Sequence, residues 1–379
     1  MTGREMIEAA FSPDGTRDIP AVICYEGIYF RDHWEQLTAC PWWYVHDPDL
    51  DRQMQWLTEV HESIGQDWFH VPVFYSAEDR RSLSIDVRDE GAFLTDKRTG
   101  EETRLEKPQV GGWSAAREVA SHHPGRLAST PDEIDAAVPI PEDDAGTVAA
   151  DGRGDLASRM LEVFAGRMLP MNGVTSPVWG CYGLWGFEGM MTMVADRPDL
   201  VEHVCRRHLA RELQQVRRAA AVGARAMWVE ECMTDMVGPE AFARLCVPFV
   251  RELTDAIRDA GMKSIYYYCG NPVGKWDLIL AIGADALSLE ESKKGFEIDI
   301  EDVVNRVDGR SAVLGNLDAI HLLPQASEED LRREIARQIA AGRRNGSRFI
   351  MSIGSPVTPD TPVGRVRLYC DLVHELGKG

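Results

Sequence analysis

From about Asp199 onward the chain alternates amphipathic helical stretches with short apolar runs that end in Gly, Asn, Ser or acidic residues. Repeated βα units around a parallel sheet produce that alternation, because each strand needs a helix to carry the chain back. The runs predicted as strands are Ala226 to Glu230, Ser264 to Tyr268, Ala284 to Leu289, Ser311 to Gly315 and Arg348 to Ser352. The clearest helices between them are Pro239 to Ala260 and Ser327 to Arg344. The second opens with Ser327, Glu328, Glu329 and Asp330, which suit a helix N-terminus and its dipole, and closes at Asn345-Gly346. Upstream, Ile19 to Cys24 and Trp68 to Phe74 read as earlier strands flanking a helix from Asp49 to Ile64, and Met168 to Val174 reads as another strand. The pattern predicts one α/β domain over 1–379, a (β/α)8 barrel.

Two segments depart from it. Residues 84–107 show period-two apolar spacing broken by Asp89-Glu90-Gly91 and Arg98-Thr99-Gly100, so a β-hairpin excursion is expected there. Residues 130–154 carry three prolines among many Asp, Ala and Gly, which predicts an irregular surface connection.

With 379 residues, 44% of them hydrophobic, the chain can fill one large core. No apolar run reaches the length of about 18 residues that a membrane span needs, and Met1 to Ala10 lacks the plan of a signal peptide, so a cytoplasmic protein is expected. The eight cysteines follow no disulfide spacing and form no CxxC pair, so they read as reduced thiols. A net charge of −20 with no basic cluster argues against nucleic acid as a partner and favours a small molecule or another protein.

Barrel enzymes carry their chemistry where strands end, which directs attention to Glu230-Glu231-Cys232, Tyr267-Tyr268-Cys269-Gly270-Asn271, Glu290-Glu291, Gly315-Asn316-Leu317-Asp318 and Ser352 to Pro356. The stretches YYYCGN (266–271), GADALSLEE (283–291), GNLDAIHLL (315–323) and FIMSIGSPVTPDTP (349–362), in this order, resemble the uroporphyrinogen decarboxylase-like superfamily. Its members include porphyrinogen decarboxylases and zinc-dependent methyltransferases that move methyl groups between corrinoid proteins and thiols or folates; all share the TIM-barrel fold. The methyltransferase branch implies a zinc site with an acidic residue after the fourth strand, His-x-Cys after the fifth and Cys after the eighth. Zinc would suit a thiol nucleophile, since it stabilises thiolate at neutral pH. Here Glu230 or Glu231 stands for the acid and Cys269 for one Cys, whereas Tyr267 replaces the His and Ser355 the last Cys; Cys232 or Glu290 would have to substitute. The porphyrinogen branch implies an arginine-rich loop gripping the acidic macrocycle, and the matching stretch, Tyr25 to Cys40, offers Arg31 among Glu26, Asp32 and Glu35.

Each candidate also has a packing explanation. Adjacent strand residues point to opposite faces, so only one of Glu230 and Glu231 can face the barrel interior; Glu231 is taken as ligand or base, and Tyr267 as the interior partner of Cys269. Tyr266 and Cys181 read as core residues. His70, within WFHVPVF, is a core histidine unless it reaches the mouth, where it becomes a general acid or base. Trp179, Tyr182 and Trp185 lie in WGCYGLWGF, read as an aromatic loop that packs or that walls a pocket for a flat or methylated ligand. Asn316 and Asp318 cap a turn or bind ligand, and Ser355 joins the substrate-binding set.

These residues and the resemblance lead to a methyltransferase-like enzyme acting in transfer or demethylation, with zinc as metal and a corrinoid protein or folate as methyl partner; the resemblance also implies a homodimer. A metal-independent decarboxylase or lyase working through Glu231, His70 or Tyr267 is the alternative, and a non-catalytic ligand-binding barrel the second.

Overall fold

The computed structural model describes residues 1–111, 122–124, 127–292 and 295–379. Its strands are β1 (Trp68–His70), β2 (Leu83–Arg88), β3 (Gly91–Asp96), β4 (Glu101–Leu105), β5 (Leu169–Thr175), β6 (Ala226–Glu231), β7 (Lys263–Tyr268), β8 (Ala286–Leu289), β9 (Ala312–Leu314) and β10 (Phe349–Ile350). Seven of them form one parallel sheet in the order β1-β5-β6-β7-β8-β9-β10, curled and with helices between successive strands. Residues of β6, β7 and β8 are buried on both faces, as a parallel sheet covered by helices requires.

The Ile19 to Cys24 segment is extended without forming a regular strand, yet it lies between the two ends of this order. Met351 N donates to Pro20 O and Val22 N to Met351 O, each at 2.9 Å, while on the other side Asp67 N donates to Ala21 O at 2.9 Å. The Asp67 carboxylate adds a bond from Ala21 N at 2.7 Å and an ion pair with His374 at 2.8 Å. The arrangement is consistent with a TIM-like barrel.

Local chemistry sets most boundaries. Asp49 caps the helix Leu50–Ile64 by accepting from Asp51 N and Arg52 N, and Gly65 ends it at φ 78. Ser327 caps Glu328–Arg344 by accepting from Asp330 N. The expected helix from Pro239 to Ala260 is two, Pro239–Leu245 and Val247–Asp259, because Pro248 has no N–H to continue the ladder. The Trp68 strand stops early for the same reason: Val71 N still bonds to Met171 O, and Pro72 follows.

The excursion at 84–107 is larger than a hairpin. Its two turns join three antiparallel strands, β2-β3-β4, in a separate sheet. The 130–154 connection holds a helix, Pro131–Ala137, because Thr130 caps it through Glu133 N and Ile134 is buried against the core. No helix among the described residues is long and apolar enough to cross a membrane.

Candidate active site

Register decides which side chains face inward. Thr175 pairs with Glu230 and Glu230 with Tyr267; one step back, Gly173 pairs with Trp228. Alternation then puts Gly173, Thr175, Trp228, Glu230 and Tyr267 on one face, with His70 of β1 beside Met171. A chamber of about 350 Å³ opens here, lined by Gly173, Thr175, Trp228, Glu230 and His70 together with Cys24, Tyr25, Glu26, Trp68 and Glu212; Tyr267 is buried against Trp228 and does not line it. Its walls are aromatic. Trp228 stacks on Tyr267 with centroids 4.9 Å apart, and Trp68 and Tyr25 meet Trp228 edge-on at 6.0 and 6.2 Å.

Into this apolar space project three carboxyls and an imidazole. Burial pushes Glu230 above the usual carboxylate range, against the pull of the Tyr25 hydroxyl, which donates to Glu230 Oε1 at 2.6 Å. Burial likewise raises Glu212, which accepts from Thr175 Oγ1 at 3.2 Å. Glu26 is lifted to about 7 by burial, although Gln66 donates to it at 2.6 Å and the His70 amide at 3.0 Å. Burial drives the His70 ring down to about 4, so it is neutral at pH 7. Among the described residues, no Lys or Arg lines the chamber.

Tyr25 adopts a left-handed backbone, φ 56 and ψ 42, at the start of the helix Glu26–Leu37. A bulky residue seldom adopts that region, and here the residue that does so donates its hydroxyl to Glu230.

Sulfur lies one step further along β6 and β7. Cys269 N donates to Glu231 O at 2.9 Å, which sets Cys232 and Cys269 side by side, and the Cys232 thiol donates to Glu230 Oε1 at 3.4 Å. Its neighbour Cys269 and then burial raise the Cys232 pKa well above that of an ordinary thiol, so it stays protonated. Glu230, Cys232 and Cys269 are the residues nearest to a zinc set. Yet among the described residues no group of three or more His, Cys, Asp or Glu is arranged to hold a metal ion. Tyr267 is also committed elsewhere, donating to Gly354 O at 3.0 Å. The donors as placed do not fit zinc.

Glu231, taken above as ligand or base, lies on the other face of β6. It is fully buried in the helix-side layer, where Ser176 Oγ donates to it at 2.6 Å and Tyr266 Oη at 3.3 Å, and burial lifts it to about 8. Glu230 is the interior acid. Trp179 ends the turn before a helix, Gly180–Asp196, and Tyr182 and Trp185 lie within that helix, which is interrupted at Gly186, φ 67. Trp185 is a core residue bonded to Ala128 O at 2.9 Å, Tyr182 accepts from His122 N at 3.0 Å, and none of the three lines the chamber. Asn316 ties loops together by donating to Glu290 O and Ile298 O at 3.1 and 2.9 Å, and Asp318 caps a turn through Ile320 N and His321 N, both at 2.8 Å. Ser355 is buried and does not line the chamber. Sequence reasoning passed over Tyr25, Glu26 and Glu212, although Tyr25 and Glu26 directly follow an expected strand.

The model of the family described as uroporphyrinogen decarboxylase (URO-D) matches residues 155–376, more than half of the chain. The chain belongs to the uroporphyrinogen decarboxylase family. Among curated relatives, the uroporphyrinogen decarboxylase of Solibacter usitatus (strain Ellin6076) is 29% identical over 41% of this chain and 42% of its own length. That of Janthinobacterium sp. (strain Marseille) is 25% identical over 59% of this chain and 63% of its own. The chain thus spans about half the length of the first curated relatives it matches. A solved methyltransferase from Methanosarcina mazei is 14% identical, covers 99% of each chain and superposes with a TM-score of 0.68, which shows a shared fold. In this member of the URO-D family, the match includes Glu212, Glu230, Cys232 and Cys269, whereas Tyr25, Glu26 and His70 come from the preceding residues.

Proposed function

We propose that the protein transfers a methyl group from a small methylated substrate, held in the chamber, to a thiol, corrinoid or folate acceptor that reaches its mouth. The supporting observation is the lining: aromatic rings and protonatable carboxyls, with no Lys or Arg among the described residues. A porphyrinogen with its many carboxylates would bring negative charge to glutamates with no cation to meet it. At about 350 Å³ the chamber also sits at the small end of the range for ligand sites, about 300–1,000 Å³. The fold shared with a solved methyltransferase is compatible with this reading, whereas the family and its curated relatives carry the name of a decarboxylase.

In such a transfer the bond from carbon to its leaving oxygen or nitrogen breaks, that atom keeps the electron pair, and the acceptor's pair forms the new bond to carbon. A leaving group that departs as an anion needs a proton. Tyr25 and Glu230, 2.6 Å apart, are placed to supply it, and burial raises Glu230 above the ordinary carboxylate value, which favours its protonated form. His70, uncharged, would orient the substrate rather than protonate it.

The test offers isotope-labelled methyl donors with a thiol, a reduced corrinoid or tetrahydrofolate, and in parallel carboxylated substrates including uroporphyrinogen. Labelled methyl on an acceptor without release of carbon dioxide is the expected result. Carbon dioxide release without methyl transfer would instead establish the decarboxylase reading, which Glu26, with its pKa of about 7, could serve as proton donor.

A further inference from the structure

A second chamber, of about 370 Å³, adjoins the first and shares Glu26, Gly27 and His70 with it. Its walls are mostly apolar, with Phe30, Trp56 and Phe74 as the rings and Met160 at the far side, and no Lys or Arg lines it among the described residues. One polar group is out of place there. His61, on the helix Leu50–Ile64, is 3% exposed, and both of its ring nitrogens are buried without a hydrogen-bond partner among the described residues.

A neutral imidazole carries one donor and one acceptor, and folded proteins rarely leave either unmet in the interior. His61 cannot escape by taking a charge: burial, with His70 and Arg167 nearby, holds its pKa at about 3. Nor is its ring free to turn away, since Phe30, Phe69 and Phe164 meet it edge-on at 5.7, 6.2 and 5.1 Å. The imidazole is thus neutral and unmet in the wall of an apolar space that adjoins the candidate active site.

We infer that the second chamber binds a flat, uncharged ring of the substrate, with a hydroxyl or similar hydrogen-bonding group on the edge that faces His61. The aromatic walls supply edge-on and offset contacts to such a ring, and the lack of cations leaves a ligand carboxylate unmatched. Because Glu26, Gly27 and His70 border both spaces, a ring held in the second would lie beside a reacting group held in the first. Only this last placement rests on the methyl-transfer reading; the binding does not.

The test compares 2-naphthol with naphthalene by fluorescence titration of the full chain. The expected result is that 2-naphthol binds about tenfold more tightly, the scale of one buried neutral hydrogen bond. His61→Leu should equalise the two probes while keeping naphthalene affinity, and Met160→Trp, which fills the chamber, should weaken both by more than about tenfold. Because a leucine at this position can disturb folding, His61→Gln serves as the second variant: it keeps a donor and an acceptor and should retain part of the preference. Failure of either probe to bind the unaltered protein, equal binding of the two, or a preference unchanged in His61→Leu would each overturn the assignment. A protein that passes this test but transfers no methyl group would sink the functional reading and leave the chamber standing.

Discussion

Replacing Glu231 by glutamine tests the assignment of the two adjacent glutamates without any knowledge of the substrate. Burial lifts the Glu231 pKa from 4.5 to about 8, so the folded protein holds its proton more tightly than the unfolded chain does. The stability this confers is fully present below about pH 4.5 and declines as pH rises toward 8, since the unfolded chain ionises first. Between pH 4.5 and 7 the loss spans about 2.5 pH units at about 1.4 kcal/mol each, or about 3 kcal/mol at pH 7. Glutamine cannot ionise, and it keeps an oxygen for Ser176 and a donor that Tyr266 can accept. Glu231→Gln should therefore stabilise the protein by about 3 kcal/mol at pH 7 and by less than about 1 kcal/mol at pH 5, read from urea denaturation midpoints at the two pH values. Activity should survive, because the side chain lies outside the chamber. Equal destabilisation at both pH values, or loss of turnover with the fold intact, would refute the reasoning and return Glu231 to the site.

Tyr25→Phe removes the bond that draws Glu230 downward, so the limb of the activity–pH profile assigned to Glu230 should move to higher pH. A limb that does not move would detach Tyr25 from the acid. Prolonged chelation should leave methyl transfer unchanged, since Glu230, Cys232 and Cys269 do not fit zinc as placed; stoichiometric zinc by elemental analysis, lost in Cys269→Ala, would contradict this. Asp67→Ala deprives the Ala21 amide and His374 of their shared partner and should cost about 2–3 kcal/mol in urea denaturation, where Asp67→Asn should cost less.

The order of strands and helices was legible because polar caps and apolar periods are local. Ser327 and Asp49 mark helix starts by the groups their own side chains accept. The phase of β6 was not legible. AMWVEE is apolar on both faces up to its final pair, so nothing in the residues says whether 230 or 231 turns inward; pairing with β5 and β7 decides it. WGCYGLWGF misled for a different reason, since glycines usually signal loops. A side chain at Gly180 would come within 2.3 Å of the His208 ring and one at Gly189 within 3.0 Å of Leu127, so these glycines let a helix pack closely. The chamber's other wall escaped notice because Tyr25 and Glu26 follow a segment too short in paired bonds to stand out as a strand, and Glu212 sits mid-helix among arginines.

The segment that carries Tyr25 and Glu26 is stitched to Met351 on one flank and to Asp67 on the other. Met351 follows Tyr25 and Glu26 by more than 300 positions, so a chain emerging from the ribosome makes these two residues long before that clasp. That wall of the chamber therefore stays unclasped on one flank until the distant partner arrives. Contacts between such remote stretches are also slow to find one another.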